Sequence, residues 1–369
     1  MTPMTEFARN QWYVAAFADE VGRDLLARTL LGEPVVLYRT EADGRVVALA
    51  DRCVHRRFPL SASSLDGDRV VCGYHGFTYD TTGTCVAVPG QARVPRTARV
   101  AAYPAVEQDT LVWVWIGDPE RADPLAIPRA PHLADPGMTT VRGMEPIDCD
   151  YGLLVDNLMD LSHETYLHGG YIGTPEVAET PITTEVDEAA AVVRVSRHMP
   201  DAECPPFYAR STGIAGRITR RQDIEYHAPC LYLLHSAITP VHQEQPVFRT
   251  EITYAITPAA PGKVYDFWAV SRDFAVDDAE VTDFLRDFNH QVVMQDVDAL
   301  NLLQRALDDE PPGYQELSIN IDAGGLAARR VLAALAAEPH RAPDPADAAP
   351  AAHDGASPAQ GVHATGNAG

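Results

Sequence analysis

The chain is short of positive charge, and within that charge it is short of lysine: of 29 basic residues, Lys263 alone is not an arginine. Against them stand 52 acidic residues, a formal net charge of −23. A surface of that sign repels phosphate backbones and argues against nucleic acid as a partner. It favours solubility and leaves room for a basic protein partner. The lysine deficit itself reads as coding bias. Long hydrophobic runs are also missing. Nothing reaches the ~18 uncharged apolar residues of a membrane span, so no membrane association is expected. The first ten residues, Met1 to Asn10, hold no basic patch followed by an apolar stretch. A secretory leader is therefore not expected, and the expected compartment is the cytoplasm. Six cysteines in 369 residues are too few for a disulfide framework. No Gly-x-Gly-x-x-Gly opens a strand–helix unit, so no nicotinamide or flavin site is expected in this chain.

What is present is an ordinary globular composition, 46% apolar, with 25 Gly and 29 Pro. The length allows two or three domains. Short apolar and β-branched runs at Val35–Tyr38, Val46–Leu49, Val70–Val71 and Leu111–Ile116 read as strands, and Asp43-Gly44 lies between the first two. They predict a small antiparallel β domain over residues 1–120. A proline-rich stretch follows, giving a connector at 121–140. In the second domain, 141–337, Asp150–Leu167 is a helical candidate. Strands are expected at Val192–Ser196, Ile224–Tyr226, Cys230–Ser236, Phe248–Ile256 and Tyr265–Val270. Ala279–Leu307 carries the longest helical pattern, with Val281, Leu285, Phe288 and Val292 at steps of three and four, and Gly325–Ala337 is a further helix. The fold class expected is α+β. Residues 338–369 hold almost no large apolar side chain and read as a disordered tail, whose His340, His353 and His363 are too far apart for a metal tract.

Two constellations carry chemistry. Cys53-Val-His55 and, sixteen residues on, Cys72-Gly-Tyr-His75 each place one sulfur and one nitrogen on a loop after a strand. Two thiolates and two imidazoles satisfy a zinc ion or a two-iron cluster. One Cys and one His per loop favours the cluster, with both cysteines on one iron and both histidines on the other. Cys85, Cys149, Cys204 and Cys230 have no such partners and read as ordinary thiols. The second constellation is Asp156–His168. His163 and His168 are five apart, about 140° on a regular helix, so the helix must end, bulge or tighten for both to reach one ion. Gly169-Gly170 supports an end there. Two imidazoles and one carboxylate make a facial triad for Fe(II). Asp296, on the long helix, is the chosen acid, with Asp298 and Asp287 as competitors. Asp160, three before His163, lies on the same helical face and can orient it. Asn157, a turn further back, points toward the same pocket.

On Cys72–Gly76, Val88–Gln91, Asp156–His168, Pro205–Phe207, Gln295–Gln304 and Leu317–Gly325, the chain resembles the Rieske non-heme iron oxygenases, in their O-demethylase branch. The likeness runs from Asn10 to about Ala337. It implies an N-terminal Rieske [2Fe-2S] domain and a mononuclear-iron domain with a helix-grip-like antiparallel sheet. Cys53, His55, Cys72 and His75 would ligate the cluster, and Asp296 would join His163 and His168 on the iron. Asp160 would bridge to His75 of a neighbouring subunit in a homotrimer. NAD(P)H and FMN would reside on a partner reductase with its own [2Fe-2S] cluster. The implied reaction uses O2 to hydroxylate an aryl O-methyl group, releasing formaldehyde, with vanillate, an aromatic acid, as substrate and protocatechuate as product. Other methoxy-, N-methyl- or chlorinated aromatics are alternatives, as is a non-catalytic metal-binding or electron-carrier protein. Pocket residues are sought among Asn157, Arg220, Arg221, His235 and Trp268. Two segments depart from the family pattern: Val54, Arg57 and Phe58 replace its Pro, Gly and Ala in the first cluster loop, and Gln295 replaces an acid.

Overall fold

The computed structural model describes residues 6–338, apart from 242, 244, 245, 312, 313 and 315. The tail expected beyond 338, with its three histidines, lies outside the described residues. The first part of the chain builds three small antiparallel sheets. One is β1 (Gln11–Phe17), β11 (Leu111–Ile116) and β10 (Ala105–Gln108), with β11 in the middle. A second runs β2 (Leu26–Leu30), β3 (Glu33–Arg39), β4 (Val46–Ala50) and β9 (Ala102–Tyr103). The third is β5 (Ser64–Asp66), β6 (Arg69–Val71), β7 (Thr78–Tyr79) and β8 (Cys85–Ala87). β3 and β4 pair as the hairpin that Asp43-Gly44 predicts.

The second part is dominated by one seven-stranded antiparallel sheet. It contains β12 (Thr139–Ile147), β13 (Thr183–Asp187), β14 (Val192–Glu203), β15 (Arg217–His227), β16 (Leu231–Pro240), β17 (Phe248–Ala260) and β18 (Lys263–Arg272). Their order is 12-18-17-16-15-14-13. All five strands expected here are present and longer than their apolar runs. β12 and β13 escape the sequence reading because polar residues dilute their apolar content, and β1 escapes it although all but its first residue are buried and apolar. The helices are α1 (Tyr151–Met159), α2 (Pro175–Glu179), α3 (Pro206–Thr212), α4 (Ala279–Asp308) and α5 (Ala323–Ala336).

Period-two alternation explains the run of apolar residues in the central strands. Tyr232, Leu234 and Ile238 of β16 pack with Trp268 and Val270 of β18 against the helices. Leu231, Leu233, Phe267 and Ala269 point the other way, into a core shared with Trp12, Val14, Trp113 and Trp115 of the first part. Both faces of the sheet are thus buried, and residues on either side of the connector share one apolar core. The connector itself is three short 3-10 turns, each beginning at a proline: Pro119–Arg121, Pro124–Ala126 and Pro131–Ala134. The long helical segment expected at Asp150–Leu167 is cut short. α1 ends at Met159, and a 3-10 turn, Leu161–Thr165, replaces its continuation.

Candidate metal centres and substrate cavity

The two cysteine–histidine loops repeat one backbone design. In each, the cysteine N–H donates to the carbonyl five residues on, Cys53 to Phe58 (2.9 Å) and Cys72 to Phe77 (2.8 Å). The carbonyl of each cysteine accepts from the residue four ahead, Arg57 (2.8 Å) and Gly76 (2.9 Å). That fourth residue sits in the left-handed region in both loops, at φ 56° for Arg57 and 72° for Gly76. The missing glycine of the first loop therefore leaves the turn intact but loads a side chain onto a backbone that disfavours it, at about 1–2 kcal/mol. The two thiols are buried, whereas His55 and His75 are exposed, their rings 4.5 Å apart. Tyr79 Oη lies 3.1 Å from Cys53 Sγ, and the Tyr74 and His75 amides face Cys72 sulfur. The Gly73 amide donates to Ser63 Oγ (3.1 Å). Tyr79 is a contributor that sequence reading missed, since it lies on β7 outside both loops.

At the second constellation, α1 is opened by Asp150, whose carboxylate accepts from the Gly152 amide (2.8 Å). It is closed by Asp160, which adopts an extended backbone, φ −122° and ψ 99°. The Asp160 carboxylate accepts from Ser162 N (2.8 Å) and Ser162 Oγ (2.9 Å), starting the 3-10 turn. This corrects the expectation that Asp160 and His163 share a helical face. The carboxylate caps the 3-10 turn, and it is the Asp160 backbone carbonyl that accepts from His163 Nδ1 (2.6 Å). The Gly169-Gly170 pair lies well beyond the end of α1, because the cap at Asp160 acts first.

The tightening turn brings both imidazoles to one carboxylate. His163 Nε2 is 3.6 Å and His168 Nε2 is 3.2 Å from Asp296 Oδ1. Asn157 Nδ2 donates to the same oxygen (3.0 Å). His168 Nδ1 donates to Gln295 Oε1 (2.8 Å). Each ring therefore has its outer nitrogen tied to an oxygen and its inner nitrogen turned toward Asp296, the arrangement that orients it for an ion held between them. Burial works against charging His168, but the hydrogen bond and charge of Asp296, with Gln295, hold its pKa above the ordinary value. Asp298 and Asp287 are exposed on the outer face of α4 and do not reach the histidines.

Among the described residues, His163, His168 and Asp296 are the one set of three or more His, Cys, Asp or Glu side chains whose donor atoms lie within 4.8 Å of one another. Two imidazoles and a carboxylate on one side of an open pocket fit ferrous iron. The four cysteine and histidine side chains of the first part do not converge in that way. A single zinc ion does not suit them, and a two-iron cluster does.

Glu164, directly after His163, is the second feature that sequence reading missed. It is 3% exposed, yet its carboxylate accepts from Arg220 Nη2 and Gln222 Nε2, each at 3.0 Å. Arg220 Nη1 donates to the Ile172 carbonyl (2.9 Å). This buried pair straps the histidine-bearing segment to β15.

A cavity opens beside the triad. Its apolar wall includes Leu158, Leu161, Phe207, Leu234, Ile252 and Val292, and its polar atoms come from Tyr208, Tyr232, Ser236, Tyr254 and Asn289. Asn157 and Arg220 line it, as expected, but Arg220 is already matched in charge by Glu164. His235 does not line it. Strand alternation turns His235 to the other face of β16, where it pairs with Glu251. Arg221 likewise faces outward and pairs with Asp223. Trp268 is buried on the helix side but sits behind the cavity wall, packed over Gly143, where even a Cβ would come within 2.5 Å of its ring.

Residues 11–104 match the Rieske [2Fe-2S] domain, and residues 147–338 match the vanillate O-demethylase oxygenase C-terminal domain. The chain is 34% identical over 353 residues to a vanillate O-demethylase oxygenase subunit from a Pseudomonas strain, covering 92% of this chain and 98% of that protein. It is 36% identical over 295 residues to the oxygenase component of dicamba O-demethylase from Stenotrophomonas maltophilia, covering 79% and 86%. The crystal structure of dicamba monooxygenase bound to dicamba superposes with a TM-score of 0.84 at 32% identity, over 90% of this chain and 98% of that one. Both relatives are named as the oxygenase part of a system with more than one component. The α+β fold, the Rieske-type cluster domain and the mononuclear iron centre go together, and the chain belongs to the vanillate O-demethylase family of Rieske non-heme iron monooxygenases.

Proposed function

We propose that this chain is the oxygenase component of an aromatic O-demethylase that converts vanillate to protocatechuate and formaldehyde. The observation that carries the reading is the convergence of His163, His168 and Asp296 beside an apolar, tyrosine-lined cavity. The reaction balances as methoxyarene plus O2, two electrons and two protons to phenol, formaldehyde and water.

Residues 1–120 form the electron-accepting unit, with Cys53, His55, Cys72 and His75 holding the [2Fe-2S] cluster. Residues 141–337 form the catalytic unit, joined through 121–140, with His163, His168 and Asp296 holding Fe(II). When bound, the cluster supplies single electrons, and the iron supplies the oxygen chemistry that hydroxylates the methyl group. The chain's own residues set the stage for it. Asp160 and Gln295 orient the two imidazoles, Asn157 orients Asp296, and the apolar wall seats the aromatic ring and excludes water.

Electrons enter from a reductase carrying FMN and a [2Fe-2S] cluster, oxidising NAD(P)H in the cytoplasm. They reach the iron across a homotrimer interface, with Asp160 bridging to His75 of a neighbouring copy. Surface chemistry supports that pairing. Tyr74 is 59% exposed at the cluster tip beside exposed Arg52, Arg56 and Arg57. The groove next to His163 carries a net opposite charge, with Asp160, Glu316 and Asp322 beside an Asp156–Arg329 ion pair, and an exposed apolar rim at Leu303 and Leu317. An apolar rim with complementary charge is what a head-to-tail interface requires.

A second reading is a chlorinated methoxybenzoate as substrate, favoured by the likeness to dicamba O-demethylase. The deciding experiment supplies iron-loaded protein with NADH, a competent reductase and vanillate under air. Stoichiometric formaldehyde and protocatechuate are expected. No formaldehyde from reducible, fully loaded protein overturns vanillate as the substrate.

A further inference from the structure

The cavity beside the triad is lined by a polar group that the reaction chemistry does not use. Asn289, on α4, is 5% exposed, lines the cavity, and its amide nitrogen has no hydrogen-bond partner. A buried donor without an acceptor is costly unless a ligand completes it.

Position along α4 says which part of a ligand that is. Asn289 precedes Asp296 by seven residues, two helical turns, so both lie on the same face about 10 Å apart along the axis. A methoxyarene with its methyl at the triad spans most of that interval, and its far substituent comes to Asn289. The cavity has no spare cation for that substituent. Arg220 is the sole arginine or lysine among the described lining residues, and its charge is matched by Glu164 at 3.0 Å.

We propose that Asn289 is the specificity-determining residue for the oxygen substituent remote from the methoxy group, and recognises it by a hydrogen bond, with no ion pair. This rests on the O-demethylase reading and adds the recognition chemistry of its pocket. The substrate class is a methoxyarene carrying a hydrogen-bond-accepting oxygen group, ionised or neutral, meta or para to its methyl ether.

The test is calorimetric titration of the iron-loaded oxygenase with three probes: vanillate, vanillamide and guaiacol, which lacks the remote group. For Asn289→Leu, of similar volume, the expected result is about a tenfold or greater loss of affinity for vanillate and vanillamide, with guaiacol changed by no more than about twofold. Guaiacol binding reports that the variant is folded. Asn289→Asp places a carboxylate there and is expected to weaken vanillate by a further ~10-fold or more relative to vanillamide. Equal changes for all three probes, or none, overturn the proposal. Wild-type protein that binds vanillamide but not vanillate removes vanillate as the substrate, and Asn289 is then judged on the vanillamide ratio alone.

Discussion

Gln295 is a single side chain whose chemistry decides the posture of a metal ligand. It accepts from His168 Nδ1 at 2.8 Å, in the place where the family pattern has an acid. An amide oxygen keeps the ring orientation without adding a negative charge. Gln295→Ala is expected to lower Fe(II) affinity by about 10–100-fold, with Gln295→Glu recovering most of it. Equilibrium dialysis against Fe(II), with the cluster absorbance as a control for folding, measures both. Asp266 is the other informative residue. It is 3% exposed on β18, and one carboxyl oxygen has no partner. Burial, then the charges of Asp296 and Glu145, raises its pKa well above the ordinary carboxyl value. The folded protein thus keeps this proton at pH values where the unfolded chain has lost it. Its contribution to stability is intact below about pH 4 and declines as pH rises toward the folded-state pKa, by up to about 1.4 kcal/mol per pH unit. Asp266→Asn should remove that slope. Its melting temperature, measured against wild type at pH 5 and pH 8, is expected to gain most at pH 8.

At the scale of elements, the site depends on where α1 stops. The Asp160 cap turns the chain into a 3-10 turn, and the following loop folds back so that Gly169 bridges to Gly173. A Cβ on Gly173 would lie 1.7 Å from the Glu164 carbonyl oxygen and 2.8 Å from the Thr165 nitrogen, both of them backbone. Nothing flexible is available to move aside. Gly173→Ala is expected to dislodge the histidine-bearing turn and abolish iron retention at the mononuclear site. The cluster spectrum should survive, because the Cys–His loops lie on a different sheet. Metal analysis beside the visible spectrum separates the two. The Glu164–Arg220 pair works on the same segment from the strand side. Losing one partner leaves an uncompensated buried charge, which generally costs about 3–5 kcal/mol.

For the whole molecule, the question is how two redox centres on one chain cooperate. The exposed histidines and arginines of the cluster tip, and the acidic, apolar-rimmed groove beside His163, are complementary surfaces that different copies can bring together. If electrons cross between copies, two inactive variants should rescue each other. Co-expressed His55→Ala and Asp296→Ala chains are expected to form mixed trimers with demethylase activity well above either variant alone. Absence of rescue in mixed assemblies of verified composition would place the electron path within one chain.

Much of this was legible in the sequence because it is local. The spacing Cys53-x-His55 and Cys72-x-x-His75 specifies two like turns, and the five-residue step from His163 to His168 demands that a helix end. Period-three-and-four apolar residues locate α4 and put Asp296 on its inner side. Tertiary structure alone decided what depends on packing between distant segments. Apolar alternation identifies β16 and β18 but does not say which of their two buried faces meets the cavity. Tyr232 and Tyr254 therefore line it, while His235 faces away and Trp268 lies behind it. Arg220 looked free in sequence, and only the fold brings Glu164, 56 residues earlier, to neutralise it. Spacing along a chain fixes local geometry, whereas the partner of a buried polar group is fixed by the three-dimensional contacts that exclude water around it.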